Sequence, residues 1–385
     1  MKRVLVVSGT RPETIKLSPL INCFRAQGAF EWDLVVTGQH REMLDQVLRL
    51  FDLEPTEDLR IMQGNQRLGD LTAHLLGGLS EVFARRKPDL VIVQGDTTSA
   101  MASALAAFYQ RIPVGHVEAG LRTGDRWNPF PEEINRVYID RVSDLCFAPT
   151  QAAASNLISE GIDQGRVYMT GNTIVDALQE VVHRLDAGGL EAQYSAELPD
   201  ELRPSVWEGS GHRLVLVTGH RREHFGSDLE AICQAIGALA RQNQDVRVVY
   251  PVHLNPNVQT PVYRELGGIP GVLLSGPLSY PPFLWLLNHA SLVITDSGGV
   301  QEEAVSLGRP TLVTRLTTER PEGVEAGVAT LVGADPDLIV SKAQAILDDP
   351  GAGRVPAGKA SPFGDGHAAE RITDIVTNWL ADGPA

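Results

Sequence analysis

The residues best suited to chemistry lie in two glycine-bearing turns and at several acidic positions. In Gly9-Thr10-Arg11-Pro12-Glu13 the apolar run Val4–Ser8 gives way to a helix in which Pro12 suits the first positions, with Lys16 one turn further on. Arg11 and Lys16 can therefore reach the same anion, and a phosphate there would meet a helix N-terminus and two cations. The second turn, Asp296-Ser297-Gly298-Gly299, follows the apolar run Leu292–Thr295 and leads into Val300-Gln301-Glu302-Glu303. Its glycines let backbone amides approach a ligand, and Ser297 can cap the next helix or donate to a phosphate oxygen. Glu303 can accept hydrogen bonds from two ribose hydroxyls. Asp96 and Glu118 stand at strand ends, and Glu132-Glu133 closes the Pro129-Phe130-Pro131 segment. Tuned by burial or neighbours, such carboxylates can take or give a proton, although each alone also suits a cap or an ion pair. His220, beside Arg221 and Arg222, suits a phosphate ligand or an acid/base. His253, in Pro251-Val252-His253-Leu254-Asn255-Pro256, occupies another strand-end loop, where a capping role fits as well.

The scaffold beneath these groups follows from a recurring pattern of short apolar runs, each followed by a helix-length amphipathic stretch. That pattern predicts parallel strands with crossover helices. Strands are expected at 4–8, 34–37, 90–94, 114–117, 145–148 and 167–169, then at 214–218, 246–250, 272–274, 292–295 and 311–314. Several are apolar at consecutive positions, as in strands covered on both faces. At 385 residues the chain exceeds the size of one core. The Gly- and Pro-bearing stretch from Arg184 to His212 reads as a linker or decorated crossover. The expected domains are 1–184, joined by a C-terminal helix in 368–385, and 185–367. Val6 to Glu13 echoes Leu216 to Glu223, so two similar turns are expected to face a central cleft.

Composition excludes several classes. A net charge of -15 argues against nucleic-acid or anionic-membrane partners. Cys23, Cys146 and Cys233 show no paired spacing, and the histidines form no metal motif, so no disulfide framework and no metal are expected. No Gly-x-Gly-x-x-Gly follows a strand, which leaves a tightly bound dinucleotide unsupported. Neither a signal-peptide core nor a membrane-length apolar run is present, and the expected location is the cytoplasm.

Taken in order, Gly9 to Glu13, Gly95-Asp96-Thr97-Thr98, His116 to Arg122 and Pro131 to Arg136 resemble the non-hydrolysing UDP-N-acetylglucosamine 2-epimerases. In the second half Thr218 to Glu223, Tyr250 to Pro256, Asp296 to Glu303 and Thr318 to Glu322 extend that resemblance. It implies two Rossmann-like domains of GT-B-like architecture and reversible conversion of UDP-N-acetylglucosamine to UDP-N-acetylmannosamine. The implied route is UDP elimination and re-addition through 2-acetamidoglucal, with no cofactor. By motif position it implies that Asp96, Glu118, Glu132 and His220 are catalytic. Arg11, Lys16, Ser297, Gly298, Gly299 and Glu303 then bind substrate. It also implies an activating second UDP-N-acetylglucosamine at Gln39, Gln66, Arg221 and His253, a homodimer, and a role in envelope polysaccharide synthesis. Glu42 and Asn65 stand where the family pattern has Gln and Arg, and Leu316 where Asp is common. A UDP-sugar glycosyltransferase and a hydrolysing 2-epimerase are the competing readings.

Overall fold

The computed structural model describes residues 1–38, 41–61, 66–188, 190, 194–207, 209–219, 221, 224–349, 351 and 361–383. Among them the chain forms two compact units, Met1–Ala177 with Phe363–Ala385, and Leu178–Pro362.

In the first unit seven parallel strands are ordered β3-β2-β1-β4-β5-β6-β7. They are β1 (Arg3–Ser8), β2 (Glu31–Val36), β3 (Glu57–Asp58), β4 (Leu90–Gln94), β5 (Val114–Val117), β6 (Leu145–Ala148) and β7 (Val167–Met169). In the second unit six parallel strands are ordered β10-β9-β8-β11-β12-β13. They are β8 (Arg213–Thr218), β9 (Val246–Pro251), β10 (Val272–Ser275), β11 (Ala290–Thr295), β12 (Thr311–Val313) and β13 (Ala329–Leu331). The consecutive apolar runs are buried on both faces, as at Val4–Val7, Leu90–Val93 and Leu214–Val217. Burying such runs stabilises each sheet by about 1.5–3 kcal/mol per large side chain. β3 and β13 escape the sequence reading. Both are edge strands of two or three residues, and Glu57-Asp58 has no apolar signal to read.

Each sheet reverses its winding once, between β1 and β4 in the first unit and between β8 and β11 in the second. Ligands of open α/β sheets bind beyond the carboxyl ends at such switch points. The echoed turns follow β1 and β8, the two strands that hold equivalent places beside the reversals.

The division falls within the helix Thr173–Asp186 and again before Phe363, a few residues ahead of the expected positions 184 and 367. Hydrogen bonding explains the second boundary. Asn172 N–H donates to the Phe363 carbonyl at 2.8 Å, and Ala369 N–H donates to the buried Asp176 carboxylate at 2.8 Å. The chain has thus rejoined the first unit before the helix Ala368–Asp382 begins. The stretch expected as a linker or decorated crossover is packed into the second unit. Tyr194 stacks on Trp285 at 6.2 Å, and Glu197 accepts from the amide and hydroxyl of Ser279. Cys146 and Cys233 are buried, whereas Cys23 is half-buried.

Candidate active site

In the first unit the side chains singled out above gather where β1, β4 and β5 end. The helix Arg11–Gln27 starts in a capping box. Thr10 Oγ1 accepts from Glu13 N–H, and Glu13 returns its own carboxylate to the turn. Glu13 Oε2 accepts from Gly9 N–H at 2.6 Å and Thr10 N–H at 2.5 Å, while Oε1 accepts from the Thr97 hydroxyl. The Gly9 and Thr10 amides that precede this helix are therefore occupied by the protein's own carboxylate. Gly9 is required here, because a Cβ would lie 2.4 Å from Ser99 Oγ.

Burial pushes the Glu13 carboxyl up to about 7, against the lowering effect of the hydrogen bonds from Thr97, Gly9 and Thr10. A folded-state value above the unfolded one gives stability that is complete below about 4.5 and is lost as pH rises through about 7. Denaturant titrations of Glu13→Gln and the parent at either end of that range should show the parent losing stability relative to the variant as pH rises. A constant difference between the two would refute this account of Glu13.

Lys16 is carried inward by the same helix and meets Glu118, Nζ to Oε2 at 2.5 Å, with side-chain exposures of only 7% and 5%. Gln94, the last residue of β4, donates to the same Glu118 oxygen. Glu118 follows β5 with φ 69°, a conformation that few non-glycine residues adopt. Asp96 is paired with Arg136, whose side chain is buried, and the Asp96 carbonyl accepts from Asn135 Nδ2 at 2.9 Å. Both partners come from the helix Glu132–Val142. Within the adjacent glutamates the roles divide. Glu133 is buried and accepts from the amides of Thr123 and Gly124, whereas Glu132 is half-buried at the first helical position.

In the second unit Ser297 precedes the helix Gly298–Ser306, and its side chain makes no capping bond to that helix. The capping alternative for its hydroxyl therefore lapses. The helix start is crowded by a guanidinium: a Cβ on Gly298 would lie 2.6 Å from Arg320 Nη1. Arg320 bonds Glu302 and Glu319 at 2.7 Å each, and Glu319 also bonds Arg315 at 2.7 Å. Burial alone would raise the Glu319 carboxyl, but Arg320, Arg315 and Arg221 together hold it well below the usual range. Glu303 is buried one turn into the helix and accepts from Tyr280 Oη at 2.8 Å. Thr218, Gly219, Arg221, Tyr250 and Asp296 line a cavity at the ends of β8 and β11, where Arg221 N–H donates to Asp296 at 2.9 Å.

The structure thus brings Lys16 to Glu118 and sets Asp96 and Glu118 on neighbouring strand ends. Ser297, Gly298, Gly299 and Glu303 share one turn and helix. Lys16 and Arg11 leave the same helix start, yet Lys16 is committed to Glu118. His220 and Gln39 lie outside the described residues. Of the other expected activator residues, Gln66 bonds His74 at 2.7 Å, Arg221 pairs with Glu319 at 3.5 Å, and His253 Nδ1 accepts from Asn255 N–H at 3.1 Å. Sequence reasoning passed over Glu13, Gln94, Tyr280, Arg136 and Arg320 as individual participants. All but Tyr280 and Gln94 lie inside quoted motifs, so motif membership was the available signal.

Among the described residues no group of three or more His, Cys, Asp or Glu is placed to hold a metal. Nor, among those residues, is any helix long and apolar enough to cross a membrane.

The family model described as UDP-N-acetylglucosamine 2-epimerase matches residues 22–377. A Salmonella typhimurium protein named UDP-N-acetylglucosamine 2-epimerase is 48% identical over 378 residues, covering 98% of this chain and 99% of that protein. Among solved structures, the Neisseria meningitidis UDP-GlcNAc 2-epimerase bound to UDP-GlcNAc superposes with a TM-score of 0.90 at 40% identity, covering 98% of this chain and all of that one. The Methanocaldococcus jannaschii UDP-GlcNAc 2-epimerase in complex with UDP-GlcNAc and UDP superposes at 0.83 and 33% identity, with 98% and 100% coverage.

Proposed function

The chain belongs to the UDP-N-acetylglucosamine 2-epimerase family, and from that premise we propose that it interconverts UDP-N-acetylglucosamine and UDP-N-acetylmannosamine without releasing free sugar. The observation that carries this reading is the pair of carboxylates at adjacent strand ends, each held by its own cation: Glu118 by Lys16 and Asp96 by Arg136. A UDP-sugar transferase would need only the Ser297 turn and Glu303.

In the proposed reaction a carboxylate takes the C2 proton as the C1–O bond to UDP breaks, and the bonding electrons leave with the diphosphate. The product of this elimination is 2-acetamidoglucal. UDP then adds back at C1 while a proton is delivered to the opposite face of C2. Asp96, Glu118 and Glu132 form the acid/base set, and His220 acts near the leaving group. Arg11, the Ser297 hydroxyl and the amides of Gly298 and Gly299 hold the diphosphate, and Lys16 adds positive charge while orienting Glu118. Groups aimed at the charge that grows on the departing diphosphate favour the transition state over the ground state. Glu303, oriented by Tyr280, accepts from the ribose.

The same reading includes a second UDP-N-acetylglucosamine as activator through Gln39, Gln66, Arg221 and His253, and a cytoplasmic homodimer supplying envelope polysaccharide synthesis. The Methanocaldococcus relative supports the activator in so far as its structure holds both UDP-GlcNAc and UDP. The test is incubation with UDP-N-acetylglucosamine alone in deuterium oxide. Deuterium should appear at C2 of both sugar nucleotides with no free N-acetylmannosamine. Free sugar in amounts matching released UDP would show a hydrolysing enzyme, and UDP release only with an added acceptor would show a transferase.

A further inference from the structure

The turn that presents Asp96 is fastened at three successive residues. The Gly95 carbonyl lies 2.8 Å from His116 Nε2, the Asp96 carbonyl accepts from Asn135, and the Thr97 hydroxyl donates to Glu13. His116 is fully buried in β5, two positions before Glu118, and its other ring nitrogen lies 2.6 Å from Asp140 Oδ1. A backbone carbonyl only accepts. The second Asp140 oxygen accepts from Arg122 Nη1 at 2.8 Å and from Gly120 N–H at 3.2 Å. Both ring nitrogens of His116 therefore face acceptors. A neutral imidazole carries one ring proton and would leave one of these short contacts as two opposed lone pairs, whereas an imidazolium donates to both. Of the charged groups here, the Asp140 carboxylate touches the ring itself, the Arg122 guanidinium meets the other Asp140 oxygen, and the neighbouring Cys146 thiol on β6, pushed up to about 12 by burial, stays neutral.

We propose that His116 carries both ring protons in the working enzyme and is a positioning residue: its Nε2–H fixes the Gly95 carbonyl, and with it the backbone from which Asp96 projects, while Asp140 balances its charge. The positioning half of this rests on the acid/base role proposed for Asp96. The charge half does not. Oriented groups matter because a misplacement of about 1 Å at a reacting centre can cost on the order of 100-fold in rate.

Ring-nitrogen NMR on the full chain labelled with 15N-histidine tests the charge directly. At about pH 7.5 an ordinary histidine, with a pKa near 6.5, is mostly neutral. One of the ten histidines should nevertheless show two protonated ring nitrogens, and that signal should be missing from His116→Gln. One protonated and one bare nitrogen at His116 would overturn the proposal. For positioning, His116→Gln should keep KM for UDP-N-acetylglucosamine within about twofold while kcat falls on the order of 100-fold. Asp140→Asn should remove the second ring proton and lower kcat in the same way, and it decides the matter should His116→Gln not fold. Wild-type kcat in either folded variant, alongside an inactive Asp96→Asn, would refute positioning. An active Asp96→Asn would instead refute the acid/base reading and leave the charge of His116 to the spectrum.

Discussion

Glu118→Gln is expected to lower kcat by about 10²–10⁴-fold, the usual worth of a placed general acid or base, and to abolish solvent-deuterium incorporation at C2. The substitution keeps the size of the side chain and an oxygen that can still accept from Lys16 or Gln94. It removes the charge that offsets a Lys16 ammonium of which only 7% is exposed. Stripping one partner from a buried pair typically costs about 3–5 kcal/mol, so the melting temperature should fall as well. The two effects separate in measurement. Loss of stability reduces the folded fraction and is read by calorimetry, whereas loss of the carboxylate reduces kcat per folded molecule. Should folded Glu118→Gln retain kcat within about threefold of the parent, far short of a general-base effect, the acid/base role of Glu118 would be untenable.

Gly120→Ala is expected to have the largest effect on stability of any single methyl addition near the site. Gly120 has φ +88°, and a Cβ there would sit 2.2 Å from the Ala153 carbonyl oxygen and 2.8 Å from its carbon. Those atoms are helix backbone and cannot swing aside as a side chain would. The residue is also pinned on both sides, its N–H donating to Asp140 and its carbonyl accepting from Asn156 Nδ2 at 2.9 Å. Backbone strain and overpacking together should cost on the order of 3–5 kcal/mol, lowering Tm by roughly 10 °C in a unit of this size. Gly77→Ala provides the comparison. It lies mid-helix in Leu68–Arg86 with nothing within 4 Å of an added Cβ, so it should be neutral or stabilising by up to ~1 kcal/mol. Equal melting temperatures for the two variants would contradict the packing described around Gly120.

Much of the fold was legible because its signals are local. Consecutive apolar runs such as Val4–Val7 and Leu90–Val93 can be satisfied only by strands covered on both faces, and the glycine-bearing turns that end them mark where ligand-facing residues stand. β3 was not legible, since Glu57-Asp58 pairs at a sheet edge where both residues are only half-buried and neither is apolar. The turn after β1 carries two signals at once, because a capping box and a phosphate-binding helix start begin with the same residues: Glu13, three residues on from Thr10, takes the Gly9 and Thr10 amides.

Local residue patterns thus specify the class of fold, the strand ends at which Asp96, Glu118 and Ser297 stand, and the family to which those motifs belong. What each charged group faces is settled by tertiary packing. Lys16 and Glu118 are 102 positions apart, Asp96 and Arg136 are 40 apart, and His116 meets Asp140 across two elements. A side chain's type is fixed locally, but its burial, its hydrogen-bond partner and hence its protonation depend on which distant elements pack against it, and no local spacing encodes that.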